Sequence, residues 1–258
     1  MKIVSYNVNG IRASLKLGLA KWLRDFEADI YCIQEIRCNE NLAKEIINQN
    51  DENLLNNYIS IFNCGKIPGY AGTLILTKQK PDKVLYDMGD IWTDDEGRTT
   101  TIFLGNLAII NAYIPNGNNR LEFKMKYLSA LNKFIVSLKK SYDVVCVGDF
   151  NIAHNEIDIS NPKACKNKSV FLPVERQSFD DLLSIGMNDC FRILNPNTIK
   201  YSWRSYRSRQ DENYNSWKYR IDYILVGDSL IERIHCCDIL DLTYSDHSPV
   251  LSEIKEEI

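Results

Sequence analysis

Short apolar runs rich in Ile, Val and Tyr alternate along the chain with stretches in which apolar positions recur every three or four residues. The runs predict strands at Lys2–Tyr6, Asp29–Gln34, Tyr58–Phe62, Gly72–Thr77, Thr100–Leu104, Leu107–Tyr113, Val144–Val147, Tyr223–Val226 and Pro249–Ile254. Helical periodicity covers Leu15–Phe26, Leu42–Asn48, Arg120–Lys140 and Glu175–Ile185. In the third of these, Leu121, Lys124, Tyr127, Leu128, Leu131, Phe134, Ile135 and Leu138 keep one side largely apolar. Phe103–Leu107 reads as two strands joined by a Gly-Asn turn, hence a hairpin. A hairpin-rich middle mixed with helices does not fit an all-parallel sheet. It predicts an α/β fold in which sheets pack face to face with helices outside. No linker, repeat or shift in composition interrupts the 258 residues, so 1–258 reads as a single domain.

Composition narrows the partners. Lys+Arg 31 against Asp+Glu 34 gives a net charge of −3, which excludes a histone-like, charge-driven nucleic-acid binder but leaves room for a local basic face. No segment offers the ~18 uninterrupted apolar residues of a membrane helix. The opening MKIVSYNVNG has a strand's pattern rather than a signal peptide's. The 8 cysteines form no CxxC pair and only 3 histidines accompany them, so zinc-type spacing is missing. Cys32 and Cys146 lie inside apolar runs, as small hydrophobes do. Reduced, structural cysteines are expected, and with them a cytoplasmic protein, or a nuclear one in a eukaryotic source.

The informative pattern lies at the ends of the strands. Asn7 ends IVSYN, Glu35 ends IYCIQE, Tyr113 and Asn116 end AIINAYIPN, and Asp149 and Asn151 end VVCVGDFN. Asp222 lies in YRIDYIL, and Asp246-His247 precedes the last strand. One such residue is ordinary turn chemistry. Six strand ends of the same kind point to one site, because strand tips and their loops converge in sheet-based enzymes.

Glu35, Asp149 and Asp246, with Asn7 and Asn151, are hard oxygen donors suited to Mg²⁺, with Mn²⁺ as a substitute, rather than Zn²⁺. Carboxylates that gather repel one another unless a cation or proton sits among them. His247, with Asp222 to orient it, forms an Asp–His pair able to hold a phosphate oxygen. Tyr113 is either a donor to developing charge or a phenolate. No Ser or Cys stands in a nucleophile-elbow context, so water is the expected attacker. Metal-assisted hydrolysis of a phosphoester uses all of these parts.

The ordered segments NVNG at Asn7–Gly10, QE at Gln34-Glu35, NAYIPN at Asn111–Asn116, GDFNIAH at Gly148–His154, RIDY at Arg220–Tyr223 and SDHSP at Ser245–Pro249 resemble the exonuclease III / AP endonuclease family. That family is the DNA-repair branch of the endonuclease–exonuclease–phosphatase superfamily. EIDISNPK (Glu156–Lys163) and FLPVERQSFDDLL (Phe171–Leu183) are similar to that branch in particular. The resemblance implies a four-layer α/β sandwich, two packed mixed β-sheets flanked by helices. It also implies a monomeric Mg²⁺-dependent hydrolase that cuts double-stranded DNA 5′ to an abasic site, leaving a 3′-hydroxyl, with 3′-end trimming and 3′→5′ exonuclease action in many members.

Residue by residue, the resemblance makes Glu35 a metal ligand with Asn7 close by, and Asp149 the proton acceptor for the attacking water. Asn151 stabilises the transition state, and Tyr113 contacts the phosphate or helps the leaving group. Asp222 orients His247 on the scissile phosphate, and Asp246 completes the metal site. Arg12, Tyr70, Arg98 and Asn116 become substrate contacts. Trp203 and Ile221 line the pocket for the base-less sugar, with either Trp217 or Tyr219 as its third wall. Asn9 stands where some relatives carry an Asp, which removes one anionic group beside the metal. Two other readings make different demands on the sequence. A deoxyribonuclease I-like nuclease or other phosphoesterase of the superfamily calls for a second catalytic histidine or a different signature around Asp222. A non-enzymatic binding module calls for loss of a metal or phosphate residue.

Overall fold

The computed structural model describes residues 1–205 and 217–255. The first half carries β1 (Lys2–Asn7), α1 (Ile11–Lys16), α2 (Leu19–Phe26), β2 (Ile30–Gln34), α3 (Glu40–Asn50), α4 (Leu54–Asn57), β3 (Ile59–Asn63) and β4 (Thr73–Thr77). There follow β5 (Lys83–Tyr86), β6 (Thr99–Leu104), β7 (Leu107–Tyr113), α5 (Leu121–Leu138) and β8 (Asp143–Asp149). The last part carries α6 (Pro162–Cys165), α7 (Pro173–Ser184), β9 (Met187–Asp189), α8 (Cys190–Leu194), β10 (Trp203–Arg204), β11 (Lys218–Tyr219), β12 (Asp222–Gly227), β13 (Ile234–Ile239) and β14 (Val250–Ile254).

Two six-stranded mixed sheets result, ordered β13-β14-β1-β2-β4-β3 and β5-β6-β7-β8-β12-β9, with β10-β11 as a separate ribbon. The central strands are apolar on both faces because both faces are covered. Ile3, Cys32, Ile75, Ile109, Val147 and Ile224 fill the space between the sheets. Tyr31, Ile33 and Leu74 face α1–α4 on one outside, and Ile110, Cys146 and Tyr223 face α5 and α7 on the other. This is the expected four-layer sandwich. Polar bonds also stitch the sheets: Gln34 Nε2 donates to Asn111 Oδ1 (2.7 Å), and the Thr73 and Thr100 hydroxyls meet at 2.9 Å. Among the described residues no helix is long and apolar enough to cross a membrane, and all 8 cysteines are free thiols.

Differences from the sequence expectation have local causes. The helix expected over Leu15–Phe26 breaks at Gly18, whose φ of 109° ends one turn and starts α2 under the ring of Tyr244. β5 and β13 went unrecognised because they are edge strands with partly exposed, mixed residues. The Gly105-Asn106 turn joins β6 to β7 in the expected register, Leu104 opposite Leu107.

Gly148, the residue before the tip of β8, is a sharper constraint. Its φ is 148°, and an added Cβ would lie 1.7 Å from the carbonyl oxygen of Ala112 on the neighbouring strand. Relief would require β7 and β8 to part. Gly148→Ala is expected to cost at least about 3 kcal/mol, beyond the usual overpacking range. Urea denaturation checks this, and an unchanged midpoint would show that the two strands can separate freely.

Candidate active site

Strand direction gathers the polar tips. β7 and β8 are parallel, which sets Tyr113 beside Asp149. β12 runs antiparallel to β8, so its first residue, Asp222, lies opposite the last of β8, Asp149. In the other sheet β1 and β2 are parallel and end level, Asn7 beside Gln34, with Glu35 just beyond. The ends of the two sheets then meet across the sandwich. Asn7 Nδ2 donates to Asp149 Oδ2 (2.9 Å) and to Glu35 Oε2 (3.0 Å), one amide bridging two carboxylates. Glu35 and Asn151 leave their strands with φ of 60° and 52°, sharp turns that hold both side chains at the tips.

Asp149 is buried beneath the cleft. Asn151 donates to it twice, from its main-chain nitrogen to Oδ1 (2.8 Å) and from Nδ2 to Oδ2 (3.1 Å). Burial, and then the neighbouring Asp222 charge, push its carboxyl up to about 7 despite these donors and His247. His247 Nδ1 meets Asp222 Oδ2 at 2.8 Å, and its Nε2 lies 4.0 Å from Asp149 Oδ2. Burial alone would disfavour the imidazolium, but Asp222, Asp149 and Asp246 raise it to about 10. These charges favour the imidazolium, and with Asp149 and Asp222 the ring closes a buried cluster whose ligand atoms lie within 4.8 Å of one another. Tyr113 is raised well above the ordinary phenol value by burial and then by the Glu35 and Asp149 charges. That direction favours the neutral donor of the two roles its sequence context leaves open.

These groups open onto a cleft of about 510 Å³ lined by Glu35, Tyr113, Asn116, Asp149, Asn151, Trp203, Ile221, Asp246 and His247 among others. One end is an aromatic recess. Trp203 and Tyr219 pair across the β10–β11 ribbon and stack at 5.0 Å, nearly parallel, above Ile221. Tyr219 thus lies against Trp203, while Trp217 also lines the recess and carries the Lys168 ammonium on its face at 3.9 Å. Asp246 accepts from Trp203 Nε1 (3.0 Å) and from Asn9 Nδ2 (2.8 Å), so it ties the recess to the end of β1. Asn116 donates to Asn151 Oδ1 at 3.3 Å.

Other expected substrate contacts stand farther back. Arg12 is exposed on α1 and is not part of the cleft lining. Arg98 is 1% exposed. Its guanidinium pairs with Glu96, donates to the Tyr113 carbonyl (3.0 Å) and the Tyr70 hydroxyl (3.0 Å), and lies over the Tyr113 ring. It reaches the cleft through Tyr113, while Tyr70, another expected substrate contact, is not among the lining residues.

Sequence reasoning passed over Arg37, which pairs with Glu35 Oε1, and Ser202, whose hydroxyl donates to Asp222 Oδ2 (2.7 Å). Arg37 follows Glu35 by two residues at the same strand exit, a signal available in IQEIRC. Ser202 had none, since its partner is twenty residues away. Of the three histidines only His247 lines the cleft: His154 is tied to Asp180 (2.7 Å), and His235 is exposed on β13.

The sequence model of the Endonuclease/Exonuclease/phosphatase family matches residues 4–247. The chain belongs to that family. Its exonuclease III / AP endonuclease branch is the one it joins. An Exodeoxyribonuclease of Bacillus subtilis (strain 168) is 36% identical over 256 residues, covering 97% of this chain and 98% of that protein. The DNA repair nuclease APEX1 of Danio rerio is 32% identical over 257 residues, 97% of this chain and 81% of that protein. An AP endonuclease structure from Archaeoglobus fulgidus superposes with a TM-score of 0.85 at 25% identity, covering 99% of this chain and all of that one. The enzyme is a phosphodiester hydrolase.

Proposed function

We propose that the enzyme is a Mg²⁺-dependent AP endonuclease of base excision repair. It hydrolyses the DNA phosphodiester 5′ to an abasic site and leaves a 3′-hydroxyl, and it also removes 3′ blocks and degrades 3′→5′. The observation that carries this reading is the continuity of the buried Asp149–His247–Asp222 group with the recess of Trp203, Tyr219 and Ile221. That recess offers apolar walls to a flipped sugar without a base, next to the groups that would act on its 5′ phosphate.

The residues fit a divalent cation. Glu35 and Asp149 share the single Asn7 amide and face the same cleft as Asp246, a gathering of carboxylates whose mutual repulsion a cation relieves. With His247 protonated, the oxygen donors at the β1–β2 end remain: Glu35, with Asn7 beside it and Asp246 across the cleft. Mg²⁺ or Mn²⁺ suits this donor set, and when bound it neutralises charge building on the phosphate. The chain's residues do the rest. Asp149 takes the proton of the attacking water, the Tyr113 hydroxyl donates to an oxygen of the reacting phosphate, and the Asn151 amide exchanges its Asp149 bond for one to the phosphate as charge builds there. His247, held by Asp222, donates to a non-bridging oxygen. Arg98 holds Tyr113 and Tyr70 in place, and Asn116 steadies Asn151. Arg12 meets the backbone farther along the duplex.

The test is an end-labelled duplex carrying one tetrahydrofuran abasic analogue, assayed with Mg²⁺ or with EDTA beside an undamaged duplex. Internal cutting confined to the bond 5′ of the analogue, and only with Mg²⁺, is the expected result, with any shortening from the 3′ end alike on the two duplexes. Nicking of both duplexes at the same rate would replace the proposal with a general nuclease.

A further inference from the structure

The buried residues of α5 include a single charged one, Lys124. It meets an equally buried carboxylate, Glu175 of α7, at 2.6 Å, both side chains 0% exposed. Stability is a weak explanation for such a pair, because well-packed apolar residues of similar volume often serve as well or better. The contacts of the pair point toward the active site instead. Lys124 Nζ donates to the main-chain carbonyl of Asn151 (2.7 Å). Glu175 is itself fixed, accepting from the Leu172 nitrogen (3.0 Å) and the Ser169 hydroxyl (3.0 Å).

Asn151 needs such a hold. Its φ of 52° is left-handed, a conformation that Asn adopts more readily than other side-chain-bearing residues when local hydrogen bonds support it. That conformation lets its nitrogen and its amide both reach Asp149 while the amide also donates to the Ile114 carbonyl (3.0 Å). The turn that carries Asn116 rests on the same pair. A Cβ on Gly117 would lie 2.8 Å from Glu175 Oε1 and 2.5 Å from the Ser169 hydroxyl, so only bare backbone fits there.

We propose that Lys124 and Glu175 are positioning residues for hydrolysis: the pair fixes the Asn151 peptide and thereby the aim of the Asn151 amide and the Asp149 carboxylate at the scissile phosphate. The inference rests on the roles assigned above to Asp149 and Asn151. It adds that the outer helices α5 and α7 set the geometry of the strand tip.

The experiment replaces the pair by apolar residues of similar size, Lys124→Met with Glu175→Leu. kcat and KM are measured on the abasic duplex and on an undamaged 3′-recessed duplex, with thermal melting alongside. kcat is expected to fall ~10- to 100-fold, the usual cost of losing a group that orients a site residue. KM stays within about threefold and the melting temperature is held. A variant of wild-type stability that retains full kcat, or that changes KM alone, overturns the proposal. If the double variant melts below the assay temperature, Lys124→Arg is compared with Lys124→Gln where both are folded. Arg keeps the charge and the donors and restores kcat, Gln does not, and equal kcat values overturn the proposal. A wild type that degrades the recessed duplex but spares the abasic one would count against the proposed substrate and leave the positioning test standing.

Discussion

Asp149→Asn is expected to yield a folded protein that binds abasic duplex DNA and does not cut it. The substitution keeps the volume and one oxygen for the Asn151 donors, but removes the proton acceptor; the loss is expected to be about 10³-fold or more in single-turnover rate, within the range for general-base groups. The same change removes a buried charge. Because the folded carboxyl titrates near 7, above its ordinary value of 3.8, its ionisation drains stability as the pH climbs from about 4 through about 7. In EDTA the variant is therefore expected to melt no lower than wild type at pH 8, and its relative gain grows across that interval. Electrophoretic shift and thermal melts check binding and stability. Wild-type cutting by the variant would remove Asp149 from the chemistry.

His247→Ala is expected to cost ~10²-fold or more in kcat, by analogy with loss of a transition-state donor. A loss confined to KM would make His247 a binding residue only. Its titration supplies a second signature. Burial opposes the imidazolium, but Asp222 and the other carboxylates lift it to about 10. The resulting contribution to folding is complete below the unfolded value of about 6.5 and disappears as the pH rises through about 10. Activity that depends on the cation fades over the same alkaline limb. Asp222→Asn removes the charge in direct contact, so the limb is expected to move down toward neutrality. A pH–rate profile of the two proteins decides it, and superimposable limbs would mean that His247 does not act as a cation.

The sequence announced the chemistry better than the architecture around it. Strands such as Ile30–Gln34 and Thr73–Thr77 are covered on both faces, so they appear as unbroken apolar runs and their polar ends stand out. Asn7, Glu35, Tyr113, Asp149, Asp222 and His247 were visible for that reason, and the structure brings them together. Arg98 shows where such reading fails. A charge in a DEGR turn looks solvated, and only the fold reveals the carboxylate and the two tyrosines around it. Ser202 was missed because its meaning lies in a partner rather than a pattern, whereas Arg37 stood two residues from Glu35 and was overlooked. Lys124 was in plain view on an apolar helix face, but a lone lysine there cannot declare what it holds. The edge strands β5 and β13 lack the two-sided burial that made their neighbours legible.

The amide of Asn7 spans from one sheet to a carboxylate of the other. Neither half of the sandwich owns the reactive centre; each holds groups that mean nothing until the other has docked. A nascent or partly melted copy is thus a silent one. The capacity to sever a phosphodiester is expected to arrive only with the finished core.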